Sequence, residues 1–112
     1  NIVEVLEQGG DLGTVLNSPF FKSIRKWQAD YAYERGPDEQ GNLLRQCPIR
    51  DHHRAFHEIV LKNGARPIDE AAREALEDEQ YHRGLAEYGD RVGELTDPIW
   101  EREYLGRETR PD

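Results

Sequence analysis

Ser18-Pro19-Phe20-Phe21-Lys22-Ser23-Ile24-Arg25-Lys26-Trp27-Gln28-Ala29-Asp30-Tyr31-Ala32-Tyr33-Glu34-Arg35-Gly36 decides the fold class. Ser18 is placed to accept the free N–H groups of a first helical turn, and Pro19 suits the first helical position because no donor is needed there. Phe20, Ile24, Trp27 and Tyr31 then recur at steps of four, three and four, which makes one apolar stripe on a helix. Gly36 offers a left-handed stop and Pro37 forbids continuation. The spacing predicts a helix over 19–35, with the stripe as its contribution to a core.

Working outward, the same grammar repeats. Residues 36–47 are rich in turn formers and read as a loop, with Leu43 and Leu44 tacking its end to the core. A second helix is expected over 48–62, with Pro48 and Asp51 in its first turn, an inward stripe of Ile49, His53, Phe56 and Val60, and a stop at Asn63-Gly64. A third is expected over 67–88, with a narrow face of Ile68, Ala71, Ala72, Ala75 and Leu76 extended by Leu85 and Tyr88, and fraying at Gly84 and Gly89. Ile2 to Leu6 form a short helix or strand remnant before Gly9-Gly10, and Asp11–Leu16 a further turn. Thr96-Asp97-Pro98 reads as the opening of a short helix through Ile99, Trp100, Tyr104 and Leu105, closed by Gly106 and followed by a polar tail. No stretch alternates apolar with polar long enough for a strand.

The expectation is therefore all-α: a small bundle of three main helices with short flanking helices and a C-terminal arm. It forms a single domain over 1–112, comprising an N-terminal flank (1–18), a helical core (19–95) and the arm (96–112).

Composition narrows the function classes. The 112 residues are 36% hydrophobic, with ten aromatics and a mean hydropathy of −0.94, so the core is expected to be thin and open to completion by a partner. Net charge is −8, which disfavours nucleic acid as a partner, and no apolar run is long enough for a bilayer. One cysteine forms no internal disulfide, which points to a cytoplasmic setting. The chain has no methionine, so Asn1 is read as a trimmed or processed start.

Charge is uneven: residues 69–90 carry a net −6 and residues 19–35 a net +2. Either the two segments balance each other inside the fold, or the acidic helix is a docking face for a basic partner through Glu70, Glu74 and Glu77. Trp100 and Tyr104 in the arm are candidate aromatic anchors for such a partner.

The chemistry-bearing residues concentrate in Cys47-Pro48-Ile49-Arg50-Asp51-His52-His53-Arg54-Ala55-Phe56-His57, with one further histidine, His82. His53 and His57 lie four apart, so a helix projects both from one face toward a shared ion, and His52 points about 100° away. Cys47 before the helix, and Glu79 or His82 from the next, would complete a set that zinc or another divalent metal accepts. The paired cysteines of structural zinc domains and the H-E-x-x-H pattern are absent. Glu79-Gln80-Tyr81-His82 is one E-x-x-H unit where a di-iron bundle needs two. A Cys47 nucleophile helped by His52 lacks a Gly-rich oxyanion loop.

Two readings follow. The first is a non-enzymatic, acidic protein-interaction module: an accessory subunit or an inhibitor- or immunity-like protein that meets a basic partner surface, or a homo-oligomer. The second is a metal-dependent or histidine-based site around Cys47, His53, His57 and His82, on its own or as part of a larger enzyme.

Overall fold

In the computed structural model, which describes residues 1–36 and 39–106, the chain folds into helices with no strand among those residues. The helices are α1 (Ile2–Glu7), α2 (Leu12–Leu16), α3 (Pro19–Gln28), α4 (His53–Lys62), α5 (Glu70–Glu77) and α6 (Glu79–Ile99). A 3₁₀ turn at Leu43–Arg45 interrupts the long loop, and wider π-helical turns extend α3 over Ala29–Tyr33 and α6 over Trp100–Tyr104. The all-α reading stands. The expected turn element Pro37 and the polar tail after Gly106 lie outside the described residues.

Local chemistry accounts for most boundaries. The Ser18 hydroxyl accepts the Phe21 N–H at 3.3 Å, which satisfies one of the orphan donors of α3. Asp11 and Thr14 close a reciprocal cap on α2. Gly9, Gly64 and Gly106 take positive φ just past helix ends, where a side chain would be strained. Gly36 does not: the 19–35 segment ends in its π turn, capped at Glu34 with φ −91°.

Four boundaries differ from the sequence expectation: the start at 48, the unbroken run through 78, the end at 88 with fraying at Gly84 and Gly89, which α6 passes without a break, and the new start at 96. The segment 48–62 is helical only from His53, and residues 48–52 form turns. The Asp51 carboxylate is fully buried, accepting the Cys47 N–H at 3.2 Å and two bonds from Arg50 at 2.8 and 3.1 Å. Because residue 49 is not helical, Ile49 points outward and is exposed instead of joining the stripe of α4.

The segment 67–88 is two helices. Asp78 ends α5 and caps α6, its backbone extended at ψ 99° and its Oδ1 accepting the Gln80 and Tyr81 N–H groups. Ile68 and Ala71 are exposed, so the small-residue face reduces to Ala72, Ala75 and Leu76.

The C-terminal arm is not a separate element. The expected boundary at 96 falls inside α6, which carries Pro98 without breaking, and Thr96 and Asp97 tie back to the loop through the Asn42 amide at 2.8 and 2.7 Å. Trp100, a candidate partner anchor, is buried at 7% exposure against the chain's own fold, whereas Tyr104 is exposed.

The stripe of α3 holds its phase but is only half-buried. Trp27 stacks on Tyr31 with ring centroids 5.0 Å apart, and His52 packs against both. Buried apolar side chains are few, Val15, Ala29 and Trp100 among them, and polar Asn42, Asp51 and His53 are buried beside them.

Gly89 and Gly93 allow α6 to touch the 45–52 loop. A Cβ at Gly89 would stand only 2.4 Å from the Asp51 carbonyl oxygen, and one at Gly93 only 2.3 Å from the Arg45 guanidinium. The result is a plate, 57 × 32 × 17 Å, with a radius of gyration of 17.1 Å against about 13 Å for a compact chain of this length.

Candidate metal centre

Two of the unexpected boundaries build the site. α4 begins at His53, so the turn before it leaves the Ile49 carbonyl free to accept from the His53 ring at Nδ1, at 3.1 Å. The break at Asp78 leaves the Leu76 carbonyl among the last four of α5, where it has no helical partner. The His82 ring, one turn into α6, fills that need from Nε2 at 2.6 Å.

A carbonyl only accepts, so each of these ring nitrogens carries the proton. The tautomers are thereby fixed: His53 presents a bare Nε2 and His82 a bare Nδ1. These two atoms face each other at 2.7 Å. With both rings neutral, two lone pairs point at one another, an arrangement that only a shared cation turns into attraction. The cation is either a proton or a metal ion.

His57 completes the group. It stands one turn after His53 on α4, its ring 5.8 Å from that of His53 and stacked on His82 at 3.8 Å. One ring nitrogen from each of His53, His57 and His82 lies within 4.8 Å of the others. His53 is buried, and His57 and His82 are half-buried.

Burial pushes the His53 and His57 imidazoles toward the neutral form, and for both the neighbouring His82 adds to the effect; at His53 the bond to Ile49 opposes it. Neutral imidazole is the form that binds metal. Tyr81 closes one side, its ring 6.0 Å from His53 and 5.5 Å from His82. A cleft of about 210 Å³ opens beside His53, lined also by Arg45, Asp51, Arg54 and Asp90.

The donor set suits zinc and its neighbours. Zinc–nitrogen bonds of 2.0–2.1 Å in a tetrahedron place nitrogens about 3.4 Å apart, between the 2.7 Å of the closest pair and the 4.8 Å limit of the group. Loading requires two adjustments. The His53–His82 pair would open slightly from 2.7 Å, and the His57 ring would turn out of its stack with His82. Backbone carbonyls on the outer nitrogens of two ligands are the support that metal-bound histidines ordinarily have.

The other candidates fall elsewhere. Cys47 is a free, half-buried thiol outside this group, and Glu79 is exposed and also outside it. His52, in the turn before α4, points away from the group: its Nε2–H donates to the Arg45 carbonyl at 2.6 Å, and its ring packs against the stacked Trp27 and Tyr31. Burial lowers its pKa despite that bond. The supporting carbonyls of Ile49 and Leu76 were not named from the sequence, because a backbone acceptor leaves no trace in residue type. Asp78, a capping residue inside a helical run, was the one available signal.

Among the partner-binding candidates, Glu70, Glu74 and Glu77 are exposed on α5, and Glu70 pairs with Arg73 at 2.7 Å. No ion pair joins residues 69–90 to 19–35 among the described residues. No helix of the described residues is long and apolar enough to cross a membrane. No protein-family model, no curated protein and no solved structure matches this chain.

Proposed function

We propose that the chain is a divalent-metal-binding helical module, with His53, His57 and His82 as ligands, acting alone or as part of a larger enzyme. One observation carries this reading: two imidazoles whose outer N–H groups are committed to backbone carbonyls turn bare nitrogens on each other at 2.7 Å, with a third histidine beside them. Three nitrogen ligands leave a fourth position for water, the arrangement in which zinc makes bound water acidic near neutral pH. A cleft lined by His53, Arg54 and Asp90 adjoins one of the three ligands.

The test is titration of the purified, metal-stripped chain with zinc by calorimetry, and with cobalt(II) followed by its visible spectrum. One metal per chain is expected. His53→Ala, His57→Ala and His82→Ala should each weaken binding by at least about 100-fold, while His52→Ala and Cys47→Ser leave it within a few-fold. No stoichiometric binding above pH 7, or three histidine variants that bind like the parent, would reject the site.

A second reading, an acidic docking face on α5, is supported by the exposure of Glu70, Glu74 and Glu77 without pairing to the basic 19–35 segment. Reversing all three to Lys should then slow association with a basic partner and reduce its salt dependence, leaving the melting temperature unchanged. A lowered melting temperature with an unchanged on-rate would remove it.

A further inference from the structure

α6 carries an apolar pattern that the chain's own fold covers only in part. Tyr81, Leu85, Tyr88, Val92, Leu95 and Ile99 recur at steps of four, three, four, three and four, the a/d repeat of a coiled coil. Tyr81, Tyr88, Leu95 and Ile99 are 40–55% exposed, and Leu85 and Val92 are half-buried. The contacts of α6 with its own fold run along a different line, through His82, Gly89, Gly93 and Trp100, about 100° or more around the helix.

We propose that this stripe is a homodimer interface: two copies of the chain pair their α6 helices in parallel along Tyr81–Ile99. Two observations select a second copy as the occupant. A two-fold interface needs one patch that matches itself, and a heptad stripe does so. Its C-terminal half has the composition that favours two parallel strands, β-branched Val92 and Ile99 at a with Leu95 at d, while Leu85 at a and Tyr81 and Tyr88 at d complete the stripe.

Charge is the second observation. The chain has a net charge of −8, which opposes self-association generally. Yet the positions flanking the stripe are His82, Gly84, Gly89, Arg91, Thr96 and Pro98, with no acid among them. Glu87, Asp90, Glu94 and Asp97 all lie farther round the helix.

The experiment is solution mass by sedimentation equilibrium or light scattering on the whole chain over a range of concentrations. A chelator is present, so that metal bridging between copies does not contribute. A species of twice 13.0 kDa is expected. Tyr88→Glu with Leu95→Glu should weaken it by at least about 100-fold, the loss of one or two buried apolar side chains per chain, while far-UV circular dichroism retains the helix signal. If the double variant unfolds, cysteine cross-linking decides. In a Cys47→Ser background, Leu95→Cys should give a disulfide-linked dimer on mild oxidation, and Glu94→Cys, turned away from the partner, should not.

A monomer at every concentration overturns the proposal, as does a dimer that survives the folded double variant. Cross-linking at 94 as fast as at 95, or a different protein seated on the stripe, does so too.

Discussion

Gly84, Gly89 and Gly93 lie in one helix, so changing each to Ala brings the same intrinsic gain and very different collisions. Ala is favoured over Gly in a helix interior by about 0.8–1.0 kcal/mol. At Gly84 the new methyl meets nothing within 4 Å, so Gly84→Ala should stabilise the chain by about that amount. At Gly89 it meets backbone, the Asp51 carbonyl oxygen at 2.4 Å and carbon at 3.0 Å. That carbonyl also accepts from Arg45 at 3.0 Å, so the loop cannot retreat without loosening a second bond. Overpacking of this kind typically costs about 1–3 kcal/mol, and a weakened buried hydrogen bond about 1 more. After the helix gain, Gly89→Ala should destabilise by about 1–3 kcal/mol. Gly93→Ala collides at 2.3 Å with the end of a flexible Arg45 side chain, which yields more readily, so it falls between. The assay is urea unfolding followed by circular dichroism, read as midpoint shifts at constant slope. The expected order is Gly84→Ala most stable, then the parent, then Gly93→Ala, then Gly89→Ala. Equal stabilisation by Gly84→Ala and Gly89→Ala would show that the 45–52 loop does not lie on α6.

Other outcomes follow from the same contacts. Burial lowers the pKa values of His52 and His57, which take no part in the proton-sharing contact of His53 with His82, so below about pH 6.5 the unfolded chain binds more protons at these two groups than the folded one. The stability of the metal-free chain should therefore hold above pH 6.5 and fall as pH drops through the histidine range; a flat profile from pH 7 to 5 would contradict the packing of these rings. The Tyr31 phenol, half-buried and donating to the Asn42 carbonyl at 2.7 Å, is pushed up to about 12 by burial. Its stability contribution is complete below pH 10 and lost as pH rises toward 12, and ultraviolet titration should show one late-ionising tyrosine that Tyr31→Phe removes. Trp100→Ala should lower the melting temperature, because it empties a buried site and costs about 3–5 kcal/mol; a stable variant with only a binding defect would restore the partner-anchor reading.

The fold class was legible because it rests on spacing. The phase of Phe20, Ile24, Trp27 and Tyr31, the stops at Gly64 and Gly106 and the shared face of His53 and His57 all follow from helical geometry and glycine sterics. The misread positions are those where a tertiary contact overrides a local signal. Asp51 suits a helix N-terminus, but its carboxylate is drawn into a buried bond set with Arg50 and Cys47 that holds residues 48–52 in turns. Asp78 has no breaker beside it, and only its side-chain cap marks the break. Thr96-Asp97-Pro98 is a fair helix start by composition, but Asn42 takes both polar side chains and the helix runs through. That misreading also cut the Tyr81–Ile99 repeat short and hid its heptad period.

A plate 17 Å thick is less than two helix diameters deep, since one helix with its side chains spans about 10–12 Å. Hardly any atom in it lies more than a side chain's length from solvent. If the proposed site binds metal, an ion on its way to His53 and His82 therefore meets no gate, and half-buried His57 is the natural first handhold. Uptake and release should be paced by exchange of the ion's own water shell and the turn of one imidazole ring, with no helix opening required. Trapping zinc on a millisecond timescale, with a rate unchanged by mild urea, is the behaviour this thinness implies; a rate that tracks unfolding would mean the site is sealed.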